Sequence, residues 1–123
     1  MSETGGERVV LCVTDDPDVQ DDAEFAFPTD VKVRCVPDAR EAWSVLQTMT
    51  PHAVVVDIQS GSAGGITLSK DMSQDPRLDP VPILMLLQRA EDRWLASQGG
   101  ADAVLVKPVA SDALVRETLA LIA

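Results

Sequence analysis

The sequence has no tyrosine, one histidine and two cysteines among 123 residues, and aromatic side chains make up 3% of it. A flavin ring would find few stacking partners here. One histidine and two cysteines cannot supply the four ligands of a structural zinc site. Basic residues are scarce as well: 10 Lys and Arg against 20 Asp and Glu leave a formal net charge of −10. That balance lacks the positive footprint of a nucleic-acid binder, and anionic membrane surfaces repel it. No apolar run approaches the ~20 residues that span a bilayer. The first eight residues are polar and lack the apolar core of a signal peptide, so the expected location is the cytoplasm. Cys12 and Cys35 each sit inside an apolar run. They are read as two buried free thiols rather than a disulfide or a metal pair.

What is present suffices for a core. Hydrophobic residues make up 46% of the chain, and its length suits one domain. Residues 1–7 read as a flexible N-terminus and 8–123 as the domain. Five β-rich runs follow one another. Val9–Val13 is continuously apolar, as in a strand covered on both faces. Val31–Val36 alternates apolar and charged residues, which suits an edge strand with one wet face. Ala53–Val56 leads into Asp57, Val81–Leu87 carries Pro82 near its start, and Ala103–Val106 leads into Lys107.

Helical stretches separate these runs. Asp16 is placed to N-cap a helix with Pro17 at its first position, ending before Pro28. Asp38 and Glu41 resemble a capping box opening a helix with core positions Ala42, Leu46 and Met49. A third helix is expected from Ile66 to about Gln74, with Leu68 and Met72 four apart. A fourth runs from Glu91 to Gln98 and stops at Gly99-Gly100. Ser111 is expected to cap the last, which buries Leu114, Val115, Leu119 and Ile122. Strict alternation of five strands and five helices predicts an α/β fold, a doubly wound parallel sheet of flavodoxin-like order 2-1-3-4-5.

In such sheets the ligand edge lies at the carboxyl ends of the strands, beside the switch between strands 1 and 3. Strand 1 ends in Thr14-Asp15-Asp16, strand 3 in Asp57 and strand 5 in Lys107-Pro108. Clustered carboxylates repel one another, and a hard cation such as Mg²⁺ relieves this through oxygen ligands while keeping several waters. A lysine adds a compact charge for a carboxylate or phosphoryl oxygen. An aspartate in this setting suits phosphoryl transfer, which depends on positioning and charge neutralisation.

At these residues the sequence resembles the receiver domain of two-component response regulators, from about Arg8 to Ile122. The stretches that carry the resemblance are Val10 to Val19, Ala53 to Ile58, Val81 to Leu86 and Gly100 to Pro108. It implies that Asp57 accepts a phosphoryl group from a histidine kinase or phosphotransfer protein. Lys107 would contact that group, with a cis Lys107-Pro108 bond. Asp15 and the backbone carbonyl of Gln59 would bind Mg²⁺ together with Asp57, and Gly65 would open the third helix. The acidic pair is either Asp15 with Asp16, or Asp15 with a hydroxyl partner, because Thr14 stands where the family's first acid falls.

Other departures bear on signalling. Leu87 replaces the hydroxyl residue that ends strand 4, which forfeits a hydrogen bond to a charged group typically worth about 1.5–3 kcal/mol. Val104 replaces the aromatic switch residue of strand 5. The loop after Asp57, Gln59 to Gly65, is glycine-rich and lacks the Lys-Ser/Thr of a P-loop; it reads as a flexible lid or connection. A smaller or differently routed response is expected. If the sequence is the whole protein, output is expected through contact with another protein; if it is a fragment, an output domain lies outside it. The resemblance implies a contact face formed by helix 4, strand 5 and helix 5. Trp43 and Trp94 read as packing residues partly at the surface, with Trp94 also a candidate partner contact; His52 is assigned no role. Two rival readings stand beside this one: a pseudo-receiver that binds a partner constitutively, and a flavodoxin-like small-molecule binder or enzyme.

Overall fold

The computed structural model describes residues 8–58 and 64–122. Five strands form one parallel sheet: β1 (Arg8–Val13), β2 (Val31–Val36), β3 (Ala53–Ile58), β4 (Ile83–Leu87) and β5 (Ala103–Val106). Their order is β2-β1-β3-β4-β5, as the alternation of strands and helices requires. The helices are α1 (Pro17–Phe25), α2 (Ala39–Leu46), α3 (Gly64–Ser73), α4 (Arg93–Gln98) and α5 (Ser111–Leu121). A 3-10 turn, Ala90–Asp92, leads into α4.

The sheet is buried on both faces, which explains why β1, β3 and β4 are apolar without alternation. Leu11, Val54, Val56 and Met85 pack with Ala42 and Leu46 of α2, with Ile66, Leu68 and Met72 of α3, and with Ala96 of α4. Val10, Cys12, Val55 and Leu84 pack on the other face with Val19 and Ala23 of α1 and Leu114 of α5. β2 is an edge strand and keeps Lys32 and Arg34 exposed. For the same reason Cys35 is only half-buried, which corrects the expectation of two buried thiols. Cys12 and Cys35 pair in register. The hydrogen bond to Cys35, and then burial, push the Cys12 thiol up and keep it protonated.

Several boundaries shift for local reasons. β4 begins after Pro82, which has no N–H to give the ladder; its carbonyl instead accepts from Val54 N at 3.0 Å. α2 ends at Leu46, so Met49 lies beyond the helix and half-buried. Arg77 takes over that helix end, donating to the Leu46 carbonyl, to the Met49 carbonyl at 3.1 Å and to Thr50 Oγ1 at 2.6 Å. Ser111 is the first residue of α5 rather than its cap, because Leu114 N already reaches the Ala110 carbonyl. On α5, Leu114 and Thr118 are the buried positions, while Val115, Leu119 and Ile122 are half-buried. Trp43 packs against the core. Trp94 is not a packing residue: it is 70% exposed, since the six-residue α4 buries only Ala96. His52 Nδ1 accepts from Val9 N at 3.1 Å and so supports the start of β1.

Gly65 marks where α3 must run close under the sheet. A Cβ there would stand 2.4 Å from Ile58 Cδ1 and 2.7 Å from Val56 Cγ1. The isoleucine tip can swing aside, but the Val56 methyl sits on a stiff β-branched side chain. Gly65→Ala is expected to destabilise the fold by about 1–3 kcal/mol despite alanine's better helix propensity, read as a lower urea midpoint at unchanged slope.

Candidate functional site

The carboxyl ends of β1, β3 and β5 converge, because parallel pairing sets β1 beside β3 and one further strand separates β3 from β5. Asp57 is the penultimate residue of β3, paired with Leu86. Its side chain is closed off from solvent. Lys107 reaches it from the end of β5, with Nζ 2.7 Å from Asp57 Oδ2. The Lys107-Pro108 bond is cis, and Lys107 N donates to the Leu87 carbonyl at 2.7 Å. Thr14, 2% exposed at the end of β1, donates from Oγ1 to the same Asp57 Oδ2 at 2.7 Å. Asp57 Oδ1 is buried and has no hydrogen-bond partner among the described residues.

Asp16 closes the other side of the lysine. Its Oδ2 accepts from Lys107 Nζ at 2.9 Å, and its Oδ1 accepts from Asp18 N at 3.0 Å as the N-cap of α1. One carboxylate thus serves both helix and lysine. Asp15 is exposed at the mouth of this edge. Gln59, and the loop through Ala63, lie outside the described residues. Two contacts had no clear signal in the sequence. Gln20 Nε2 donates to the Thr14 carbonyl at 2.9 Å. Asp16 N donates to Thr14 Oγ1 at 3.0 Å. Gln20 stands one helical turn past the Asp16 cap, a spacing that points it back at the β1–α1 turn.

The charges tune one another. The hydrogen bond from Lys107 holds the Asp16 carboxyl below its ordinary value. Burial by itself would lower Lys107; hydrogen bonds to Asp57 and Asp16 outweigh it and hold the lysine above its ordinary value. Among the described residues, no three His, Cys, Asp or Glu side chains gather as a metal-binding group. Mg²⁺ does not need three, since it keeps several waters and takes one or two carboxylates. The buried, unpartnered Asp57 Oδ1 beside an acidic strand end fits such an ion.

Leu87 is 1% exposed and packs among the residues under α2, α3 and α4. It is therefore core, and no hydroxyl at that position faces Asp57. Val104 packs against the same cluster.

Comparison with known proteins identifies the family of the fold. Residues 10–118 match the family model described as the response regulator receiver domain. The chain belongs to this family. The receiver domain is 33% identical over 118 residues to the response regulator Rre1 of Synechocystis, a match covering 90% of this chain and 51% of Rre1. It is 31% identical to a 14.6 kDa protein of Leptolyngbya boryana, covering 93% of this chain and 89% of that one. The chain thus spans about half the length of Rre1. Among solved structures, it overlays on the chemotaxis response regulator CheY4 of Vibrio cholerae with a TM-score of 0.80 at 22% identity, covering 94% and 98% of the two chains. It overlays on the receiver domain of the sensor histidine kinase PA1611 of Pseudomonas aeruginosa, determined with magnesium coordinated in its active-site cleft, at the same score and 21% identity, covering 94% and 98%. At those identities the likeness is one of fold. The receiver domain is a module of two-component signalling. Among the described residues no helix is long and apolar enough to cross a membrane.

Two stability predictions follow from the ion pairs. Lys107→Ala leaves the buried Asp57 charge uncompensated and is expected to cost on the order of 3 kcal/mol at neutral pH. Adding Asp57→Asn to Lys107→Ala is expected to recover most of that loss, read by urea denaturation of both variants. The Asp16–Lys107 pair also sets a pH window. Asp16 is depressed when folded, so its contribution is full above its ordinary 3.8 and fades as pH falls toward the folded value. Lys107 is raised, so its contribution is full below its ordinary 10.5 and fades as pH rises beyond it. Thermal midpoints of wild type and Asp16→Asn should differ between those limits and converge below pH 3.8.

Proposed function

We propose that this receiver domain accepts a phosphoryl group on Asp57 from a histidine kinase or phosphotransfer protein and signals by contact with a downstream protein. The observation that carries this reading is the state of the Asp57 carboxylate. One oxygen is held by Lys107 and Thr14, and the other keeps its lone pairs in a dry site. A lone pair of the carboxylate forms a new O–P bond. The P–N bond of a phosphohistidine donor breaks, and its electron pair stays on the imidazole nitrogen.

Lys107 balances charge on both the acceptor and the arriving phosphoryl oxygens. Asp16 keeps the lysine ammonium in place and charged. Asp15, Asp57 and the Gln59 carbonyl would hold Mg²⁺, with Asp16 at its rim. The bound ion would supply charge neutralisation for the phosphoryl oxygens. No independent substrate is turned over in this reading.

The output surface would be α4, β5 and α5, where Trp94 and Leu95 stand exposed. Leu87 and Val104 in the core favour a smaller or differently routed response. They also favour the rival reading, a constitutive binding module. The Lys107–Asp57 contact at the ligand edge weighs against that rival, because it keeps an acceptor carboxylate and a cation together where a phosphoryl group would arrive. The proposed compartment is the cytoplasm.

Incubation with acetyl phosphate and Mg²⁺, followed by intact-mass measurement, is expected to add one phosphoryl group to the wild type. Asp57→Asn should gain none, and Lys107→Ala should gain it at least tenfold more slowly. A wild type that gains none under these conditions would turn the reading to the constitutive module.

A further inference from the structure

Thr14 is pinned on every polar atom it has. Its N–H donates to the Val36 carbonyl at 2.9 Å, and its carbonyl accepts from Gln20 Nε2 at 2.9 Å. Its Oγ1 accepts from Asp16 N at 3.0 Å. A hydroxyl carries one proton. With the Asp16 amide on one lone pair, that proton is aimed at Asp57 Oδ2, 2.7 Å away, which can only accept. Lys107 Nζ takes the second lone pair of the same oxygen. Oδ2 thereby holds two donors, and Oδ1 lies buried without a partner among the described residues.

We infer that Thr14 is a positioning residue for the acceptor: by donating to Oδ2, its uncharged hydroxyl fixes the orientation of the Asp57 carboxylate. This inference rests on the phospho-acceptor reading above. A carboxylate at position 14 could not play this part. At 2.7 Å from Asp57 it would be a second like charge, and the two would have to share a proton or a cation. The threonine hydroxyl supplies a donor without charge. Asp57 therefore stays oriented through the protein's own hydrogen bonds, and the Asp16 amide that steers the hydroxyl belongs to the same turn that caps α1 and holds Lys107.

The test compares hydroxyl with methyl at nearly constant shape. Rates of phosphoryl uptake from acetyl phosphate at saturating Mg²⁺ are measured by intact mass for wild type, Thr14→Val, Thr14→Ser and Thr14→Ala. Thermal midpoints establish which variants are folded. Thr14→Val is expected to be at least tenfold slower than wild type, and Thr14→Ser within about threefold of it. Ser and Ala differ by the hydroxyl alone, so Ser should exceed Ala at least tenfold even if the valine variant fails to fold. Equal rates for Ser and Ala, or a folded Thr14→Val at the wild-type rate, would overturn the role of Thr14 while leaving Asp57 as acceptor. No uptake by the wild type would overturn the acceptor reading and this inference together.

Discussion

A negative charge buried at the end of a parallel sheet is the constraint around which this receiver domain is arranged. The Asp57 side chain is out of reach of water, and such a charge persists only with partners close at hand. Lys107 and Thr14 both meet it at 2.7 Å. Each comes from the end of a different strand, so the charge ties β1, β3 and β5 together at their carboxyl ends. Asp16 adds a second counter-charge to the lysine and at the same time starts α1. The registration of three strands, one helix start and one ammonium therefore meets in a few atoms.

The two faces of the sheet divide the labour. Beneath α2, α3 and α4, Leu87 and Val104 extend the apolar packing up to the ligand edge. They trade polar coupling for burial. The face under α1 and α5 carries Cys12 directly opposite Cys35, half-open at the edge strand. Position 14 lies between these layers and replaces charge with a directed hydroxyl. The ligand edge thus carries fewer competing anions than an all-carboxylate version would, and it relies more on fixed hydrogen bonds.

Much of the fold was legible in one dimension. Uninterrupted Val, Leu and Ile runs announce strands covered on both sides, and Asp16-Pro17 and Asp38 announce helix starts, because local chemistry alone satisfies their first amides. The helix ends were harder to read. α2 stops where Arg77, 31 positions away from Leu46, claims its carbonyl, and no local pattern marks that. Trp94 reads as a packing residue by its size. It stands exposed because α4 is too short to offer it a second apolar wall.

The sequence by itself determined the α/β alternation, the strand order, the switch point and the presence of Asp57 and Lys107 at strand ends, since hydrophobic period and connection handedness leave few topologies open. The tertiary structure alone decided what the acidic residues of the β1–α1 turn do. Asp16 turns to the lysine and the helix, and Thr14 turns to Asp57. Adjacent residues in a turn point in different directions according to backbone angles and to neighbours 43 and 91 positions away, and those neighbours are present only once the sheet has closed.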